Sequence, residues 1–444
     1  MGNQPNQPVA SNRSVSRTML LTLAVACTCL SSGMFTPALH SQTFSVIHNF
    51  VGSLDGSEPT SGVTIDPAGN LYGTTFFGDQ ATGTLYRMSH HSGGWLLSPL
   101  YYFTNMATGV IPYDRPIFGP DGALYFTTGF GGIGPCTTYN NTTGCGVVLS
   151  MRPPATFPAT PITPWNETLL YEFSGGADGA NPYSADIVFD SAGNLYGTTY
   201  NGGSTICSGG CGVVYKMTKS NNTWTESVVY TFTNSTDGSH PWAGVTLDHA
   251  GNLYGTTANG GSHGQGTVYE LSPSGGGWTL RTLYSFQGQA DGGLPYSGLI
   301  FDQAGNLYGA TSTYGSGHGG TVFELTPSGG NWNFNLLYSF AGPNGGFYPG
   351  PVANLALDSQ GNLYGTTHLD GLYNFGAIFT LTNSNGTWNY TSLHDFTAGN
   401  DGGDPRSNVS FDANGNMFGT ASEGGTGNRQ QCVGSCGVVW EITP

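Results

Sequence analysis

Positive charge is the scarcest feature of this sequence: Lys216 and Lys219 are its only lysines, and 10 Lys and Arg stand against 26 Asp and Glu in 444 residues. A surface so poor in cations cannot neutralise a phosphate backbone, which excludes DNA and RNA as partners. Charged residues of either sign make up only 8% of the chain. Long apolar runs are missing too, and nothing in the sequence has the length of a membrane-spanning helix. What is abundant is glycine, at 72 residues, and aromatic side chains, at 13%. That is the composition of an all-β chain of short strands and glycine turns rather than of a cytosolic enzyme.

The first 41 residues stand apart. They contain no acid, two arginines (Arg13 and Arg17) and then the short apolar stretch from Met19 to Leu30. A cationic flank before an apolar core too short to span a bilayer reads as a secretory signal peptide, 1–41, with cleavage between Ala38 and Gln42. Its removal takes away two positive charges and no negative ones, leaving 8 minus 26, or −18. Leu23 to Cys27 also has the outline of a lipobox, so a lipid anchor at Cys27 is the alternative to free secretion. Either route places the protein outside the cytoplasm: extracellular, periplasmic or on the cell surface.

Beyond residue 41 the chain repeats. Gly-Asn-Leu-Tyr-Gly-Thr-Thr occurs at 69–75, 193–199, 251–257 and 361–367, with near copies at 305–311 and 415–421 and a divergent one, Gly-Ala-Leu-Tyr-Phe-Thr-Thr, at 122–128. Each of the seven units carries four short runs of period-two character, here named a to d. In the fourth unit these are 243–247, 253–257, 267–271 and 278–286. Asp248 to Asn252 supplies a tight turn between a and b, because Asp can bond the turn backbone and Gly can adopt positive φ. Blade 2 differs in carrying a proline-rich insertion, 153–161, between c and d.

Four antiparallel strands per unit, seven times over, predict a seven-bladed β-propeller filling a single domain, 42–444. The chain ends support a closed ring. Residues 44–50 have the spacing of a strand d, and the chain finishes on a strand c at 437–444, so the N-terminal strand is expected to complete the last blade and leave no open sheet edge. Ile47 and Phe50 are then expected to pack against Val438 and Trp440.

The repeat resembles the GloVer family, a tandem repeat of bacterial exported proteins named for Gloeobacter and Verrucomicrobia. Asp248 to Leu271 follow its pattern D-x-x-G-N-L-Y-G-T-T-x-x-G-G-x-x-x-x-G-T-V-F-x-L closely, and Asp302 to Leu325 do so with one departure at Ala310. The resemblance extends over 44–443 and implies an exported repeat protein; it brings no activity with it. Members vary in their membrane anchor, and without a C-terminal one here Cys27 or free secretion is implied. A looser likeness to NHL and streptogramin-lyase-like propellers rests on the Gly-Asn-Leu-Tyr strand alone.

In a four-stranded blade the d–a and b–c loops share one face. The d–a loops carry Asp-Gly before a proline at Asp55, Asp178, Asp237, Asp291 and Asp401, with Asn344 substituting once and blade 2 lacking it. Ca²⁺ would need several oxygens together, whereas each loop offers one Asp, so turn formation is the simpler role. The second series, Asp66, Asp190, Asp248, Asp302, Asp358 and Asp412, is hairpin chemistry. The residue after the d–a proline carries more information: Tyr113, Tyr183, Trp242 and Tyr296 in blades 2 to 5, and Val352, Arg406 and Thr60 in the rest. Rings at one rim either stack on sugars or pack between blades and shield the channel mouth. Arg115, where Gly or Ala is usual, and Asp186, the one acid within a strand a, are candidates to line the channel.

The remaining six cysteines form close pairs in b–c loops: Cys136 with Cys145, Cys207 with Cys211, Cys432 with Cys436. In an exported protein this reads as three loop-closing disulfides; zinc would need two pairs to meet, and blades 3 and 7 lie across the ring. His263, His318 and His368 read as polar loop residues. The strand-b tyrosines and the tryptophans opening strand d (Trp95, Trp165, Trp224, Trp278, Trp332 and Trp388) read as filling between blades. No Ser/His/Asp spacing, metal motif or phosphate loop stands out, so neither a cofactor nor a metal is implied, and the chain is expected to be monomeric. The reading is an exported binding or scaffold module for a glycan or another surface polymer. Its alternative is a lyase or hydrolase working at the channel mouth through Arg115, Asp186 or His240.

Overall fold

Seven four-stranded antiparallel sheets form the blades of a β-propeller. The computed structural model describes residues 42–444 except 53, 79–81, 138–142, 155–164, 185, 343–348, 428–431 and 433–435. The signal segment, Cys27, Asn344 and most of the proline-rich insertion therefore lie outside the described residues. In blade 4 the strands are Thr246–Leu247, Leu253–Thr257, Thr267–Ser274 and Gly277–Ser285. Strand b matches the expected bounds. Strand a is shorter than expected because Ala243 turns its carbonyl to the neighbouring blade, where it accepts from the Thr198 hydroxyl at 2.9 Å.

That bond explains part of the repeat. The first threonine of each Gly-Thr-Thr is an inter-blade link: Thr74, Thr256, Thr366 and Thr420 likewise donate to Asp114, Ser297, Ser407 and Ser61 carbonyls of the following blade. The glycine before it makes room for a large ring from strand c. A Cβ on Gly73, Gly197 or Gly255 would lie 2.4 Å from the hydroxyl of Tyr86, Tyr215 or Tyr269, and one on Gly419 would lie 2.2 Å from Trp440. Blade 2 reverses the sizes, pairing Phe126 on strand b with Leu149 on strand c, both fully buried. The large ring thus moves from strand c to strand b in blade 2, which accounts for the phenylalanine of the divergent repeat.

The hairpin aspartates behave as expected. Asp248 Oδ1 accepts from the amides of Ala250 and Asn252, while Oδ2 takes the Asn252 side chain and the Tyr254 hydroxyl. Between blades, the strand-b tyrosine meets the tryptophan opening strand d of the next blade, with centroids 6.0–6.2 Å apart in the pairs Tyr72–Trp165, Tyr196–Trp278 and Tyr308–Trp388. Trp95 of blade 1 meets Phe418 of blade 7 at 5.6 Å in the same manner, which joins the last blade to the first.

The ring closes through the N-terminal strand, Thr43–Asn49, which pairs antiparallel with Val438–Thr443. A β-bulge at Ile47 in this pair repeats the bulge in strand d of the other blades, for example at Val229 and Leu283. The segment is therefore an ordinary strand d supplied from the far end of the chain. The expected side-chain partners need correction. Phe50 packs with Val439, Tyr86 and Leu71, and Ile47 lies against that cluster. Val438 and Trp440 sit in another cluster with Phe44 and Val46. Side chains alternate between the two faces of a strand, so the partners of Ile47 and Phe50 are one residue displaced from those expected.

Candidate functional site

One face of the ring carries a rim built from three recurring positions: the residue after strand b, and the residues before and after the d–a proline. Those before the proline are Glu58, Ile111, Asn181, His240, Leu294 and Asp404 in blades 1–5 and 7, all with φ between 52° and 60°. Left-handed backbone is costly for such residues, Ile111 above all. Their own hydrogen bonds hold them there. The amide of His240 donates to Cys211 of the preceding blade, and its carbonyl accepts from Ala258 in its own blade; Glu58 does the same with Cys436 and Phe76. Side chains at this position are thereby placed beside those flanking them on the rim.

In blades 2 to 5 the rim is aromatic. Centroids of Tyr113 and Tyr183 are 5.0 Å apart, those of Tyr183 and Trp242 5.4 Å, and those of Trp242 and Tyr296 5.0 Å. Phe76 extends the arc from Tyr113, and Tyr200 supports Tyr183 and Trp242 from behind. The four expected rings are thus brought into one contiguous arc, half-buried, with most contacts edge to face. Burial pushes the Tyr113 hydroxyl up to about 12, against the opposing pull of Arg406.

In blades 6, 7 and 1 these positions include four ionisable side chains, His368, Asp404, Arg406 and Glu58, a feature the sequence reading passed over. His368, which follows strand b of blade 6, approaches Asp404 Oδ1 at 2.8 Å and the Arg406 guanidinium at 3.0 Å. Arg406 Nε donates to both Asp404 oxygens at 3.0 and 2.9 Å. His368 is therefore part of a bonded cluster and not a free loop residue. Burial alone would raise the Asp404 carboxyl, but the His368 hydrogen bond and the Arg406 charge outweigh it and hold it below its usual value. Glu58 goes the other way: burial carries it to about 7, with Arg406 opposing and Glu423 and Asp404 adding. The signal was available in the sequence, since Glu58 and Asp404 fill one column, immediately before a proline.

Between the two arcs lies the channel mouth. Four residues before each hairpin turn, the seven blades present Gly62, Arg115, Asp186, Gly244, Gly298, Asn354 and Asn408. Arg115 Nη2 donates to Asp186 at 2.8 Å, Asn354 reaches the same carboxylate at 3.4 Å from blade 6, and the Gly298 amide donates to Asn354 Oδ1 at 2.6 Å. Arg115 and Asp186, chosen from the sequence separately, are thus partners in a belt across the channel. Above it, Tyr113, Tyr296 and Arg406 help to line a cleft of ≈ 40 Å³; below it lies a chamber of ≈ 550 Å³. The upper space is larger than a single water but too small to enclose a sugar ring. His240 lies outside the cleft lining, beside Ser239 and Tyr200, and burial lowers its imidazole's affinity for a proton.

The d–a aspartates are turn formers. Asp237 accepts from the Thr233 amide at 2.8 Å and the Tyr230 hydroxyl at 3.1 Å, and Asp178, Asp291 and Asp401 repeat the pattern with Tyr171, Tyr284 and His394. Three disulfides join Cys136 to Cys145, Cys207 to Cys211 and Cys432 to Cys436. They indicate an oxidising, non-cytoplasmic compartment. No helix among the described residues is long and apolar enough to cross a membrane, and no group of three or more metal-ligating side chains occurs among them.

A family model described as the Gloeobacter/Verrucomicrobia repeat matches residues 135–350 and 204–433. No curated protein matches the sequence. Among solved structures, the extracellular domain of a candidate hybrid two-component system from B. thetaiotaomicron is similar, with a TM-score of 0.51 at 12% identity; the match covers 90% of this chain and 39% of that one. A candidate 6-phosphogluconolactonase from Bacteroides uniformis gives 0.49 at 16%, covering 82% and 95% of the two chains. At such identities the likeness is one of fold.

Proposed function

The chain belongs to the Gloeobacter/Verrucomicrobia repeat family, and from that premise we propose that it is an exported propeller that binds a glycan or related surface polymer across the mouth of its central channel. The observation that carries this reading is the continuous arc of Tyr113, Tyr183, Trp242 and Tyr296. Half-buried rings held by one another offer a rigid, amphipathic surface at little entropic cost to a ligand that lies on it. The ≈ 40 Å³ cleft beneath argues for a ligand that lies across the surface rather than one that is engulfed. In this reading residues 1–41 are a signal peptide and the mature chain starts near residue 42 unless Cys27 carries a lipid; N-terminal sequencing of exported material distinguishes the two.

The test is a polysaccharide screen with the wild type and a variant in which all four rings are alanine. Binding by the wild type that is lost in the variant supports the site. Binding unaffected by the replacement overturns it, and turnover of a polymer would favour the lyase or hydrolase alternative.

A further inference from the structure

Eight basic residues lie between positions 42 and 444, and two of them, Arg115 and Arg406, line the same cleft at the channel mouth. The other described ones are engaged elsewhere: Arg152 with Asp121, Arg281 with Glu270, Arg87 with Tyr72, and Lys216 and Lys219 over aromatic rings. Each cleft arginine is oriented by one carboxylate. Arg115 donates from Nη2 to Asp186 while its buried Nε has no partner. Arg406 gives Nε to Asp404 and turns Nη2 to His368. A guanidinium fixed in this way, with N–H groups to spare, suits a planar anion. The cleft of ≈ 40 Å³ has room for a group of carboxylate size but not for a sugar ring.

We infer that the polymer is acidic: a glycan bearing uronic acids, whose rings lie on the aromatic arc while a carboxylate enters the cleft lined by Arg115 and Arg406. This rests on the glycan reading above and adds its chemical class. The mature chain, at 8 minus 26 or −18, repels a polyanion at a distance, so selectivity comes from the close contacts at the cleft and not from long-range steering.

The experiment is calorimetric titration with hexamers of galacturonic acid, its methyl ester and glucosamine, against wild type, Arg115→Gln, Arg406→Lys and the surface control Arg281→Gln. The wild type is expected to bind the acid at least about tenfold more tightly than the ester. Arg115→Gln and Arg406→Lys lose most of that preference while still binding the ester, and Arg281→Gln behaves as wild type. Arg406→Lys keeps its charge at an exposed position, so the test stands even if Arg115→Gln fails to fold. Equal affinity for acid and ester, or tighter binding of the glucosamine hexamer, with all binding lost in Trp242→Ala, overturns the acidic class and leaves the glycan reading standing. If neither these hexamers nor any neutral polymer in the screen binds, both are overturned.

Discussion

The aromatic half of the rim, in blades 2 to 5, and the ionic half, in blades 6, 7 and 1, are built on the same backbone positions yet differ in what holds them. Tyr200 of blade 3 meets His240 and Trp242 of blade 4 through ring contacts; at the corresponding places His368 of blade 6 meets Asp404 and Arg406 of blade 7 through charge and hydrogen bonds. Ring packing is insensitive to pH and salt, whereas the ionic cluster is sensitive to both. The ionic half also includes blade 7, which the N-terminal strand completes, and its junction with blade 1. One repeat thus supports two rim chemistries, because in blades 1–5 and 7 the strained residue before the proline is fixed by main-chain bonds and leaves its side chain free to vary.

The largest expected effect tests the closure. Deleting 42–51 removes the partner of Val438–Thr443 and exposes an apolar strand edge. A loss of more than about 5 kcal/mol in denaturant unfolding, with aggregation, is expected, which is of the order of a domain's whole net stability. Trimming 153–161 should cost far less, and equal tolerance of both deletions would remove the seam from the comparison. Next, Trp242→Ala takes away contacts with Tyr183, Tyr200 and Tyr296 and should cost about 2–3 kcal/mol, unchanged between pH 5 and pH 9. A pH-dependent loss would show that the aromatic half is coupled to the ionic one.

A smaller effect should mark the ionic half. Glu58 is raised from 4.5 to about 7 in the folded protein, so between those values the folded state holds a proton that the unfolded state has released. Stability from this group therefore falls as pH rises through that window and levels off above it. Glu58→Gln should remove the slope, a difference on the order of 1 kcal/mol once solvent screening is allowed for. Asp404 runs the opposite way: held below its usual value, it contributes stability that is lost only when acid protonates it. A flat difference between wild type and Glu58→Gln in pH-dependent melting would break this part of the comparison.

The smallest effect should be shared by both halves. The hydroxyls of Tyr86 in blade 1 and Tyr215 in blade 3 are buried without a hydrogen-bond partner, and blades 5 and 6 carry Phe323 and Phe379 at the same place. Tyr86→Phe and Tyr215→Phe should each change stability by less than about 0.5 kcal/mol, or stabilise, because no bond is lost and a buried polar group is removed. Unequal results would mean that the two halves differ in their cores and not only at the rim.

Much of this architecture could be read before any coordinates. The sevenfold Gly-Asn-Leu-Tyr-Gly-Thr-Thr, the terminal strands c and d and the spaced cysteines predicted the blades, the closure and the three disulfides. Each of these signals is local or periodic, so chain order alone carries it. The partners of Ile47 and Phe50 were misplaced because a bulge changes which face a side chain takes, and a bulge leaves no mark on hydrophobic periodicity.

By itself the sequence determined that seven like units must share a ring and that four rings would occupy one column of it. Only the tertiary structure decided that Arg115 and Asp186, 71 residues apart, are partners, that Asn354 joins them from across the channel, and that His368 belongs with Asp404 and Arg406. A repeat specifies each unit's local shape, whereas contacts across the channel depend on how many units close the ring and which blades then face one another.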